Sequence, residues 1–126
     1  MRLRQLFMLN IFLAAFFGVS CTFFPAFVFR LYGVAANDNA NWAARLAGGS
    51  ILAFGTLMWF GWKSASIEAR RAIALALFVQ DAIGCAASYI FQVTGKVNAF
   101  GWFSLLLYGV LAYAYAYFAL VRPKTV

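Results

Sequence analysis

Four long apolar runs constrain this chain more than any other feature: residues 5–24, 42–62, 71–93 and 100–121. A hydrocarbon layer is crossed by about 20 apolar residues in a helix, because a helix satisfies its backbone N–H and C=O groups internally. Only 10% of the residues are charged, against about 25% in soluble domains. The sequence therefore predicts an all-α integral membrane protein: one domain spanning residues 1–126, built from four helices.

The connections suggest how the runs are joined. Pro25 kinks or ends the first run, since proline cannot donate the next ladder hydrogen bond. The segment 25–34, with Arg30 among aromatics, reads as a short interfacial helix or turn. "AANDNAN" is the clearest loop, and Asn39 or Asn41 is expected to cap the second helix. "KSASIEARR" is a short polar link in which Ser64 or Ser66 caps the third helix, and "TGKVNA" forms a tight turn. Short links favour an antiparallel up-down bundle. The start resembles an export signal, but Gly18-Val19-Ser20 fits a lipoprotein cleavage box poorly and "TFFPAFVF" stays apolar. An uncleaved helix is the expectation.

Charge sets the orientation. The net charge of +7 might suggest nucleic acid as a partner, but the bases sit at the edges of apolar runs and form no clustered face. With a cytoplasmic N-terminus, Arg2, Arg4, Lys63, Arg70, Arg71, Arg122 and Lys124 fall inside, and Arg30, Arg45 and Lys96 outside. That asymmetry predicts both termini on the cytoplasmic side, in a bacterial inner membrane. Trp42 and Trp102 at one level, and Trp59 and Trp62 at the other, fit interface anchors, with Arg45 snorkelling to the surface. The run "AYAYAYF", Ala112 to Phe118, reads as part of the same aromatic belt.

In lipid, helices associate through small residues that let backbones approach. Ala44, Gly48 and Gly49 on the second helix, and Gly84 and Ser88 on the third, are the expected packing positions. At about 1.5 Å per residue, Asp81 lies about 15 Å past Arg71, near the bilayer midplane. Ser50 and Tyr108 fall close to that level, and Asn10 and Gln80 complete a candidate intramembrane polar cluster. An ionised aspartate at that depth costs about 2.5–3.5 kcal/mol on insertion scales. Asp81 is expected to act either as hydrogen-bonding glue between helices or subunits, or as a proton-, ion- or substrate-linked group.

Catalytic machinery is sparse. Histidine is absent, which removes the commonest general base and metal ligand. The lysines sit at segment ends, Asp38 and Glu68 are expected on opposite sides of the membrane, and Cys21 and Cys85 read as small buried hydrophobes. No catalytic or metal site can be assembled, so an enzyme is not expected.

Around "LYGVA" and "ARLAGGSILAFGTLMWFGW", with Arg45 and Gly48 at the start of the second helix, the chain resembles small bacterial four-helix membrane proteins of the DoxX-like kind. The resemblance implies the four-helix layout and no catalytic residue. Taken together, the leading expectation is a non-catalytic accessory or structural subunit. It would pack against membrane lipids and other integral membrane subunits, or self-associate. No cofactor is required, though lipid, a quinone or a carotenoid-like apolar molecule fits the expected grooves. The alternatives are a small ion- or proton-coupled transporter or channel centred on Asp81, and a lipid- or quinone-linked membrane enzyme or redox helper.

Overall fold

Helix boundaries follow capping chemistry. A computed structural model describes residues 2–121. Helix α1 spans Leu3–Phe23, and the Arg2 backbone N–H at its start donates to Gln5 Oε1 at 2.8 Å. Pro25 lacks the N–H that would continue α1, yet suits the first position of a new helix, and α2 (Pro25–Tyr32) begins there. Gly33, at φ 67°, ends α2 in the left-handed conformation and lets Val34 N–H donate back to Phe29 O at 2.9 Å.

Helix α3 spans Asp38–Lys63 and starts earlier than expected. Asn37, rather than Asn39 or Asn41, is its cap: the Asn37 side chain accepts from Ala40 N–H at 2.8 Å. Asp38 then lies in the first turn, where the helix dipole favours an acid. Helix α4 spans Ile67–Val93, with Ser66 accepting from Ala69 N–H at 3.1 Å and Glu68 in its first turn. "SIEARR" is therefore mostly helix. Helix α5 spans Gly101–Ala116 and widens into a π-helical turn over Tyr117–Val121. Within that turn the Ala119 carbonyl accepts from Arg71 Nε at 2.9 Å. Arg122, Pro123 and Lys124, expected to close the chain, lie outside the described residues.

Four stretches are long and apolar enough to cross a membrane: Leu3–Phe23, Asp38–Lys63, Ile67–Val93 and Gly101–Val121. No strand occurs among the described residues. The helices associate as two pairs, α1 along α3 and α4 along α5, while α3 and α4 touch little. Close approach in the first pair depends on Gly18 and Gly48. A Cβ on Gly48 would lie 2.7 Å from Thr22 N and 2.8 Å from Gly18 O, which are backbone atoms that cannot rotate away. Farther along, Phe7 packs over Gly61, and Arg4 donates to Ser64 O at 3.0 Å. In the second pair the Tyr108 ring lies on Gly84, and Gln92 reaches Gly101.

The pairs meet through a core concentrated at the Arg2 end. Leu3, Leu6, Phe7, Met58, Leu77 and Tyr115 are its most deeply buried large members. At the opposite end, α2 folds across the bundle. Asn98 Nδ2 donates to Leu31 O and Asn98 N–H to Tyr32 O, both at 2.9 Å. Large apolar side chains cover the outside, including Phe12, Phe16 and Phe23 on α1, as expected of a helix face turned to hydrocarbon or to a partner.

Candidate functional site

Between the two pairs lies a cavity of about 80 Å³. Six polar side chains from four helices line it: Asn10 (α1), Tyr32 (α2), Gln80 and Asp81 (α4), and Ser104 and Tyr108 (α5). Its remaining wall is apolar and includes Phe17, Phe54 and Leu77. Among the described residues no lysine or arginine lines it.

The floor is a fully bonded polar layer. Asn10 Nδ2 donates to the Tyr115 hydroxyl at 2.8 Å, and that hydroxyl donates to Met58 Sδ at 3.5 Å. Tyr115 is fully buried, and Phe7 tilts against its ring with centroids 6.1 Å apart. The roof is the side chain of Tyr32, hydrogen-bonded to Ser104 Oγ and set edge-on to Phe100 at 5.1 Å. Beyond the roof a second, more open cavity of about 240 Å³ lies against Ser88 and Phe91 and shares Tyr32, Ser104 and Tyr108 with the first.

Asp81 stands outside this bonded frame. It is 4% exposed, and its Oδ2 has no hydrogen-bond partner among the described residues. Gln80 Oε1 is likewise buried and unpartnered. Buried polar atoms are nearly always satisfied, and leaving one unpaired costs roughly 1–3 kcal/mol. The unsatisfied atoms at the middle of α4 are both acceptors.

Four of the five residues expected in the polar cluster thus line one cavity: Asn10, Gln80, Asp81 and Tyr108. Ser50 does not. It is exposed, and its Oγ donates to Leu46 O at 3.1 Å, one turn back on its own helix. The rotation of α3 about its axis turns Ser50 away from the site: Ile51, Phe54 and Met58 are the α3 residues on the cavity. The packing positions divide in the same way. Gly48 is buried against α1 and Gly84 is half-buried under the Tyr108 ring, whereas Gly49 is exposed and a Cβ there would meet nothing within 4 Å. Ala44 is half-buried, and Ser88 is half-buried in the wall of the open cavity.

Of the anchor positions, Trp42, Trp59 and Trp102 are exposed, while Trp62 is half-buried and stacks on Trp59 at 5.3 Å. Lys63 Nζ sits 4.5 Å from the centre of the Trp59 ring. Arg45 is exposed but not idle: its Nη1 donates to Thr22 O at 3.1 Å, at the C-terminal end of α1. Cys21 and Cys85 are free and half-buried. Among the described residues no three His, Cys, Asp or Glu side chains gather as a metal site would require.

Sequence reasoning missed Tyr32, Ser104, Tyr115 and Met58. The tyrosine run is the clearest correction, because residues two apart on a helix point to nearly opposite sides. Tyr113 is 75% exposed and Tyr115 fully buried, so Tyr115 belongs to the cavity floor and not to an aromatic belt. The signal available was Asn10, a buried amide that needed a partner at its own depth.

Comparison with known proteins gives no further guide: no family model, curated protein or solved structure matches this chain.

Proposed function

We propose that this chain is a small, non-catalytic membrane protein that binds a proton or a small solute inside its helical bundle, at Asp81, as part of a transport cycle. One observation carries the reading: a buried acid with an unsatisfied oxygen lines a cavity among helices long enough to span a membrane. An acid at that depth is costly, and a binding role is the general reason such a residue persists. The Asn10–Tyr115 and Tyr32–Ser104 bonds join the helices around the cavity without using Asp81, which argues against Asp81 as glue between these helices.

The proposed setting is a bacterial inner membrane. The four spans run up and down with both termini on the cytoplasmic side, as the distribution of Lys and Arg suggests. The DoxX-like resemblance supports that layout. Four helices enclose little space, so a homo-oligomer is the proposed working form. The test is flux in proteoliposomes under an imposed proton gradient. Folded Asp81→Asn should lose the flux that the parent shows. A parent with no flux, or a variant with undiminished flux, removes the reading.

A second reading is favoured by the surface of α1. Phe12, Phe16 and Phe23 are 69%, 59% and 62% exposed and suit a partner helix as well as lipid. The chain would then be an accessory subunit of a larger membrane complex, with lipid or an apolar pigment or quinone in its outer grooves. Mild-detergent purification from native membranes should recover a heteromeric assembly. A lone monomer would count against it.

A further inference from the structure

We propose that the Asp81 cavity is a selective site for a small primary ammonium ion, with ammonium and methylammonium as its ligand class. This rests on the reading of Asp81 as a binding group and narrows it to a chemistry.

The polarity of the vacant positions comes first. Asp81 Oδ2 and Gln80 Oε1 are both acceptors, so the missing partner must donate. Three donors are engaged with the protein: Asn10 Nδ2 with Tyr115, the Tyr115 hydroxyl with Met58, and one hydroxyl of the Tyr32–Ser104 pair. An anion would meet the Asp81 carboxylate with no lysine or arginine in the lining to offset the repulsion. No lysine or arginine lines the cavity to balance the acid, so a cationic ligand supplies the missing charge.

Size comes next. A volume of about 80 Å³ is some two to three times the share of liquid volume that one water occupies, and about half that of the apolar cavity known to accept benzene. Ammonium and methylammonium fit this space, and a ring or a quaternary ammonium suits it less well.

The walls then separate an ammonium ion from an alkali metal ion. A dehydrated potassium or sodium ion needs a near-complete shell of oxygens, as the carbonyl rings of channels supply. Here much of the lining is Leu, Ile and Phe. An ammonium group instead directs a few N–H bonds at discrete acceptors and tolerates aromatic neighbours, and Phe17, Phe54 and Tyr108 are in the lining. The methyl group of methylammonium can rest against the apolar wall. The larger cavity adjoins the first and shares Tyr32, Ser104 and Tyr108 with it.

Binding is the readout, because neutral methylamine crosses bilayers unaided and would confuse a flux assay. The full chain, purified in detergent with its helicity verified, is titrated calorimetrically with methylammonium chloride at fixed ionic strength, in sodium and then potassium buffer. The expected result is saturable binding that ammonium displaces and potassium and tetramethylammonium do not. Asp81→Asn should weaken it at least tenfold. Gln80→Leu, which keeps the acid and removes the amide acceptor, should weaken it severalfold, and Ser50→Ala should leave it unchanged.

No binding by the folded parent, equal competition by potassium, or undiminished binding in Asp81→Asn each overturns the proposal. If binding fails while proton flux remains Asp81-dependent, only the ligand class is wrong. If both fail, the reading of Asp81 as a binding site fails with it.

Discussion

Replacing Asp81 by leucine should make the protein more stable, and the size of the gain separates a ligand site from structural glue. The Asp81 carboxyl is 4% exposed and Oδ2 has no partner, so the folded state contains an unsatisfied polar atom that leucine would remove. That removal is worth about 1–3 kcal/mol. The added methyl groups have somewhere to go, since Asp81 borders a cavity of about 80 Å³. Overpacking, which otherwise costs about 1–3 kcal/mol, is therefore relieved. Insertion scales point the same way, with Leu favourable by about 0.3–0.6 kcal/mol and Asp unfavourable by about 2.5–3.5 kcal/mol at a helix centre. Protonation of the acid would offset part of the last figure, so a net gain of about 1–3 kcal/mol is expected. The assay is reversible unfolding in mixed micelles with rising SDS, followed by far-UV circular dichroism, on the parent, Asp81→Asn and Asp81→Leu. Destabilisation of Asp81→Leu by about 1 kcal/mol or more would refute the reasoning. It would mean that the carboxyl is bonded in the folded protein and holds helices together.

Three further outcomes follow from the geometry. Tyr115→Phe should cost about 0.6 kcal/mol and no more than about 1.7 kcal/mol by the same unfolding assay, the average and the maximum measured for interhelical hydrogen bonds in a membrane protein, and its effect should shrink in an Asn10→Leu background. Additive losses in that double-mutant cycle would deny the Asn10–Tyr115 bond. Gly48→Ala should destabilise by about 1–3 kcal/mol, because its Cβ meets the backbone of α1. Gly49→Ala should be neutral or gain up to about 1 kcal/mol from helix propensity, and equal losses at the two glycines would contradict the described crossing. Tyr32→Phe should raise amide hydrogen exchange in α2 with little change in global stability, since it removes one bond to Ser104 at the edge of the bundle. Unchanged exchange over residues 25–33 would show that α2 is held by other contacts.

What could be read from the residues alone was position along each helix, and what could not was rotation about it. Run lengths placed Asn10, Asp81 and Tyr108 near one depth because every helical residue advances the same distance along the axis. Ser50 shares that depth and yet faces away. Helices that are apolar on every side carry little signal of which face is inward, and the usual contrast between a polar outside and an apolar inside is missing. The same lack hid Tyr115 behind Tyr113. Caps were more legible: Ser66 was among the candidates because a serine before an apolar run has few other uses there. Asn37 was missed because three asparagines compete within "AANDNAN".

The chain path gives the bundle the layout of tongs. Helices α1, α2 and α3 form one arm and α4 and α5 the other, and the backbone joins the arms through Ser64–Ser66, beside the packed core. At the far tips the arms are held by the side chains of Tyr32 and Asn98. Any relative movement of the arms therefore pivots at the packed end and grows with distance from it, reaching its greatest amplitude at α2. The contacts that close the far tips are thus made by residues outside the packed core, and a change at Tyr32 or Asn98 loosens the tips without removing a core side chain.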